Sequence, residues 1–254
     1  MIRRAFLLLS FLCISCQPGH LAKINSIRDL KLAELNYQVE SAHFRLGSPT
    51  FIRVFKDENI LEVWMQATGK DTYALYKTYP ICAYSGLLGP KHTEGDNQAP
   101  EGFYDITEER LWPGSKYHLA MNIGYPNAYD KAHRRTGSNI MIHGACKSEG
   151  CFAMTDSVIE EIYLLVEQSI LSGQDSVPVH VFPFRMTTQN MAEFEGEIWN
   201  SFWRNLKQGY DLFEINKIPP NIKVKNKRYA FPNFYIPRRQ KPQLPQSKPL
   251  KPAI

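Results

Sequence analysis

The sequence predicts a β-rich α+β domain with helices on its flanks. Three observations carry this expectation. Short runs rich in β-branched and aromatic residues, bounded by turn residues, recur through the middle of the chain. Longer stretches with apolar residues at helical spacing lie before and after them. Two long segments holding Gly and Pro, residues 85–102 and 124–137, separate the strands. Loops of that length in a compact domain usually serve function. A chain of 254 residues, 43% hydrophobic and 22% charged, suffices for one domain with a sizeable core.

The elements follow in order. Met1-Ile2-Arg3-Arg4 is basic, and Ala5 to Ile14 is an apolar run too short to span a bilayer comfortably. This is a targeting segment, residues 1–16, ending at Cys13-Ile14-Ser15-Cys16. Cys16 resembles the lipidated residue of a bacterial lipoprotein; an ordinary cleaved signal peptide is the other reading. Either way the mature body is expected in the periplasm, with a lipid anchor in the first case. Residues 26–44 read as a helix with Ile27, Leu30, Leu32, Leu35, Tyr37 and Val39 on its apolar face. Residues 50–55 and 60–65 read as strands joined by the polar turn Lys56-Asp57-Glu58-Asn59. Further strands are expected at 73–81, 103–106, 118–123, 139–143 and 177–184. Ser157 and Glu160 fit a capping box that opens a helix to about Leu171. Asn190 with Glu193 opens another, carrying Met191, Phe194, Ile198, Phe202 and Leu206, widened by Trp199 and Trp203. Residues 237–254 hold Pro, Lys and Arg but no Asp or Glu, and are expected to form a disordered basic tail. The net charge of +5 forms no basic stripe, so nucleic acid is not an expected partner.

The chemistry concentrates between Asn139 and Asp156. The apolar run Ile140-Met141-Ile142 ends at His143-Gly144, and Ser148-Glu149-Gly150-Cys151 follows. A thiolate is the reactive form of Cys, and a neighbouring imidazole supplies it, by taking the proton or by pairing as imidazolium. Cys151 is thus the candidate nucleophile and His143 the base. Gly150 permits backbone conformations closed to other residues, and backbone N–H groups around it and Cys151 suit an oxyanion. The helix that begins just beyond is placed to add its N-terminal dipole to the thiol. Two other Cys lie in the mature body. A Cys146–Cys151 disulfide would silence the nucleophile, whereas Cys82, in Tyr79-Pro80-Ile81-Cys82-Ala83, reads as a small buried residue.

These residues resemble the active-site motif of YkuD-type L,D-transpeptidase domains, in particular the YafK/DpaA-like branch. His143-Gly144 and Ser148-Glu149-Gly150-Cys151 carry the likeness, with Ala153-Met154-Thr155-Asp156 after them. Two further anchors are Gly89-Pro90-Lys91 through Glu94-Gly95-Asp96 to Pro100-Glu101-Gly102-Phe103-Tyr104, and Asn122 to Asn127 followed by Asp130 and Arg135-Thr136-Gly137. The likeness covers residues 24–231 and implies a β-sandwich or barrel core with flanking helices. It implies acyl transfer through a Cys151 thioester on peptidoglycan stem peptides, without a cofactor or metal. The acceptor decides the outcome. The branch implies hydrolysis of the diaminopimelate-linked bond between peptidoglycan and an outer-membrane lipoprotein. The wider family implies diaminopimelate cross-linking or lipoprotein attachment. Most family members carry Arg two residues after the Cys, where this chain has Ala153. Substrate contacts are expected from Ser148, from Tyr125, Arg134 and Arg135 in the second loop, and from His92 in the first, with the site in a groove between those loops. A zinc site built on His143, Cys146 and Cys151 with His92 or Cys82, and a wall-binding module without catalysis, are the non-enzyme readings.

Overall fold

Strand β1 (Thr50–Phe55) is buried at every position, as a strand covered on both faces must be. Ile52 and Val54 point into one core; Phe51, Arg53 and Phe55 point into another, against Phe213 and Tyr210. The computed structural model describes residues 18–232; the targeting segment with Cys16 and the tail from Pro237 lie outside them. β1 pairs antiparallel with β2 (Ile60–Gln66), and β2 with β3 (Tyr73–Pro80), through the expected turn after Phe55. The other edge of β1 pairs parallel with β9 (Val177–Phe182), which pairs antiparallel with β4 (Gly102–Ile106). The first sheet therefore runs β3-β2-β1-β9-β4.

A second sheet runs β5 (Leu111–Trp112), β6 (Ala120–Asn122), β7 (Met141–His143), β8 (Phe152–Ala153). Neither sheet closes into a barrel. Helix α3 (Asp156–Leu171) lies between the sheets, packing on β1 and β9 of one and on β6 and β7 of the other. Its Ile159, Ile162, Tyr163, Leu164 and Val166 are buried, so the core is continuous from sheet to sheet. Helix α1 (Pro18–Ser41) packs on α3 and is tied to it by Arg28–Glu167 at 2.7 Å. On the far face of the first sheet, helix α5 (Asn200–Asn216) buries Trp203, Leu206, Tyr210 and Phe213. The hairpin β10 (Lys223–Lys225)–β11 (Arg228–Ala230) is fastened to α5 by paired bonds between Asn205 and the Tyr229 backbone.

Several expectations are corrected. Within the described residues α1 already runs from Pro18, and Leu30 and Tyr37 face solvent, because a lone helix on α3 buries only one stripe. The N-cap of α3 is Thr155, not Ser157, and Glu160 is bonded to His118 Nε2 at 2.6 Å. His118 itself lies before β6, in left-handed backbone. The helix expected from Asn190 is two: α4 (Thr188–Glu193), capped by Thr187, and α5. Ile198, between them, is exposed. A short helix, α2 (Ala128–Ala132), sits inside the second loop with a reciprocal Asn127–Asp130 capping box.

The first loop is pinned from beneath. Lys56 is fully buried and its Nζ donates to the Gly89 carbonyl (2.9 Å), the Ala99 carbonyl (3.0 Å) and Glu101 (3.1 Å). Glu101 also accepts from the Gly89 N–H at 2.6 Å and Trp203 Nε1–H at 2.7 Å. Together these bonds satisfy a buried ion pair, which burial alone would penalise heavily.

Candidate active site

β7 sits inside the second sheet, so its backbone is held on both edges. Alternation along a strand puts Met141 and His143 on one face. β7 pairs parallel with β8, Ile142 opposite Phe152 and His143 opposite Ala153. One step back, Cys151 stands opposite Met141 and shares the face of His143, diagonally across the pair. The Cys151 Sγ accepts from the Met141 N–H at 3.4 Å and donates to the Asn139 carbonyl at 3.6 Å. Both candidate residues line a cavity of about 420 Å³ walled by Trp112, Lys116, Tyr117 and Asn139.

The hydrogen bonding of His143 selects its tautomer. Nδ1 lies 2.7 Å from the Gly144 carbonyl, which can only accept. In the neutral ring Nδ1 therefore carries the proton and Nε2 the lone pair. Tyr117 stacks on the ring at 4.7 Å. Burial holds the His143 pKa below the usual imidazole value, with the Gly144 carbonyl opposing. Burial also pushes the Cys151 thiol up, against the pull of the Met141 N–H and the Lys91 ammonium; Glu149 adds to the rise. Both shifts favour neutral partners, a thiol beside an unprotonated imidazole. The first residue of α3, Asp156, accepts from the Ala145 N–H at 2.8 Å.

The chain between the two residues is strained and held. Ala145 and Cys146 both adopt left-handed backbone, which costs a residue with a Cβ. The Cys146 N–H donates to the Met154 carbonyl at 3.2 Å, and the Gly144 N–H to the Tyr117 and Leu119 carbonyls. A disulfide joins Cys146 to Cys82, with Cα atoms 5.3 Å apart. This corrects one expectation: Cys82 is exposed and paired, not a buried thiol, while Cys146 pairs away from Cys151 and leaves the nucleophile free. The reason lies in the strands. Ala83 bridges Ala153, and the Cys82 N–H donates to the Ala153 carbonyl, which draws Cys82 beside the loop. Cys151 is then the free cysteine among the described residues. The disulfide also removes two thiols from the zinc-ligand set.

Gly150 has a φ of +106°, and its N–H donates to Ser85 Oγ at 2.6 Å. Ser148 spends its hydroxyl on the Cys151 carbonyl at 2.6 Å and so shapes the loop. The Ala153 N–H points to Ala83 and the Met154 N–H to His143. Alternation aims the Cys151 N–H with that of Ala153, away from β7.

The remaining expected residues are not gathered at the thiol. Tyr125 is buried, and its hydroxyl, with one proton to give, lies 3.2 Å from the Thr136 carbonyl and 3.4 Å from the Lys91 carbonyl, between the two loops. With the Thr136 N–H on the His92 carbonyl, the two loops are also bonded to each other. Arg135 is buried against Asp130 at 2.8 Å. Arg134 is exposed, in left-handed backbone. His92 is exposed and packs on Trp199 at 5.0 Å. None of the four lines the cavity of Cys151. Three residues at the site stand outside the expected set: Lys91, a buried ammonium bonded to Asp96 that acts on the thiol charge, Tyr117 on the imidazole, and Ser85 on Gly150. Lys91 stood in the Gly89-Pro90-Lys91 anchor; Tyr117 and Ser85 carried no local signal.

Known proteins are similar to this chain over most of its length. The profile of the L,D-transpeptidase catalytic domain, YkuD, matches residues 48–181. YafK of Escherichia coli K12, an L,D-transpeptidase by name, is 46% identical over 185 residues, 73% of this chain and 74% of its own length. The protein of the same name from Escherichia coli O157:H7 matches equally. Among solved structures, the helical cell shape determining protein Pgp2 of Campylobacter jejuni superposes with a TM-score of 0.42 and 20% identity, over 75% of this chain and 80% of that one.

Proposed function

The chain belongs to the YkuD family of L,D-transpeptidase catalytic domains, a family of enzymes acting on peptidoglycan, and from that premise we propose that it hydrolyses the diaminopimelate-linked bond joining peptidoglycan to an outer-membrane lipoprotein, through a Cys151 thioester. The reading places the enzyme in the periplasm. The observation that supports the chemistry is the shared face of Cys151 and His143, with a neutral thiol and an imidazole whose Nε2 is free of a proton.

The steps follow from that pair. His143 Nε2 takes the thiol proton as Cys151 Sγ attacks the scissile carbonyl carbon. The resulting oxyanion is met by the Cys151 N–H, the donor that alternation turns away from β7. Collapse breaks the C–N bond, and His143 returns its proton to the leaving amine. Water then attacks the thioester with His143 again as base, and the products are a carboxylate and the restored thiol. An amine in place of that water gives transpeptidation, the outcome that the family's name favours.

One experiment separates the two. Soluble protein and its Cys151→Ala variant are incubated with sacculi carrying bound lipoprotein, and muropeptides and released protein are read by mass spectrometry. Cys151-dependent release without new cross-links is expected. New diaminopimelate cross-links would replace the hydrolase reading with transpeptidation, and release by Cys151→Ala would overturn the site.

A further inference from the structure

The two long loops also border a space apart from the thiol. A second cavity of about 480 Å³ opens between them, the start of α5 and the β10–β11 turn. His92, Tyr129 and Arg135 come from the loops, Trp199 from the end of the α4–α5 connection, and Lys227 and Arg228 from the hairpin. No carboxylate lines it among the described residues.

Its floor is a guanidinium with an unused edge. Arg135 is 8% exposed, and one of its terminal nitrogens is bonded to Asp130. Its Nε is buried without a partner among the described residues. A buried donor left unpaired is costly. The guanidinium lies over Tyr129 and Phe202, each at 5.2 Å, which holds its plane. The edge formed by Nε and the second terminal nitrogen is a two-donor fork, and a carboxylate matches that fork bidentately. The rim repeats the charge. Asn226 and Lys227 both take left-handed φ in the two-residue hairpin turn. That conformation suits Asn but is costly for Lys, so a lysine held there over a basic cavity argues for use. One wall is apolar: Trp199 packs on His92 and on Gly89, where a Cβ would stand 2.4 Å from the indole nitrogen. Exposed Ile198 continues that wall.

We propose that this cavity is a second binding site, taking the free carboxylate of a peptide strand whose aliphatic part lies on Trp199 and Ile198. The first loop joins the two places: its Ser85 accepts from the Gly150 N–H beside Cys151, and its His92 lines the new cavity. The choice of peptide rests on the proposed reaction; the carboxylate chemistry does not.

The test uses the Cys151→Ala chain, so binding is read without turnover. The probe is a disaccharide tetrapeptide with a free terminal carboxylate, followed by indole fluorescence. Saturable binding is expected, its signal lost in Trp199→Phe. Lys227→Gln with Arg228→Gln, both exposed positions, should weaken it about tenfold, the scale of one charge-assisted contact. Amidating the terminal carboxylate should weaken it similarly. Parent-like affinity in the double variant, equal binding of the amidated probe, or no saturable change at millimolar probe would overturn the site. So would a full signal in Trp199→Phe, which would put the probe elsewhere, or displacement by inorganic phosphate at equal concentration, which would make the cavity a general anion site. Cys151-dependent release from sacculi stands or falls separately.

Discussion

Removing the Cys82–Cys146 disulfide should cost both stability and catalysis. The bond closes a loop across 64 positions, from the end of β3 to the turn after β7. Chain-entropy bookkeeping for a loop of that length gives about 4 kcal/mol of destabilisation on opening it. Part is returned, because Ala145 and Cys146 can leave their left-handed backbone once released, at a gain of about 1 kcal/mol each. A net loss of about 2–3 kcal/mol remains. With a urea slope of about 2 kcal/mol per molar, the unfolding midpoint falls by about 1–1.5 M. The assay is urea denaturation of Cys82→Ala/Cys146→Ala against the parent disulfide, both with Cys151→Ser to prevent exchange. Turnover is measured in the same pair with Cys151 restored. The loop between base and nucleophile loses its outer tether, so kcat should fall about tenfold, the effect of about 1.4 kcal/mol of lost positioning. A midpoint within 0.2 M of the parent, taken as roughly the error of such a comparison, would refute the stability argument. Parent-like kcat would refute the tethering argument.

Other predictions rest on single features. Lys56→Met leaves Glu101 buried without its cation, and should cost about 3–5 kcal/mol in urea unfolding, with the first loop made sensitive to protease; stability equal to the parent would contradict the pinned loop. Because burial raises the thiol and lowers the imidazole, alkylation of Cys151 by iodoacetamide should climb with pH through and above the usual thiol range; a fast plateau reaching down to pH about 5 would instead show a preformed ion pair. His180 is buried between Phe51 and Phe103 with Nδ1 unpartnered, and burial and Arg53 hold its pKa well below the ordinary value. The unfolded chain then binds the proton first. Stability is intact above pH about 6.5 and falls as pH drops from there toward the depressed folded value, by up to about 1.4 kcal/mol per pH unit for this group. His180→Phe should flatten the urea-midpoint profile between pH 7 and 5, and an unchanged slope would contradict it.

What was legible in the sequence divides by the range of the interactions. β1 and β2, their turn, and the strand ending at His143 follow from local alternation and turn chemistry, and all are present. The pair Cys151–His143 was legible because motif spacing and strand geometry act together over eight residues. Partners set by distant packing were not. Cys82 reaches Cys146 only because Ala83 bridges Ala153, and no local pattern encodes that bridge. The helix expected from Asn190 reads continuously by apolar spacing, yet Thr187 caps one piece and Ile198 turns outward between two. Arg135 looked like a surface cation because Asp130, five residues before it, gives no sign of being buried. The second loop looked irregular because a five-residue helix is below the length at which periodicity shows.

The most direct test of the central claim is to trap the acyl-enzyme. Protein mixed with peptidoglycan fragments bearing the linked lipoprotein peptide is quenched in acid within milliseconds to seconds, and its peptides are read by mass spectrometry. The account predicts a hydroxylamine-labile acyl adduct on Cys151, absent in Cys151→Ala and strongly reduced in His143→Ala. An adduct on another residue, or release of the lipoprotein peptide by Cys151→Ala, would contradict it.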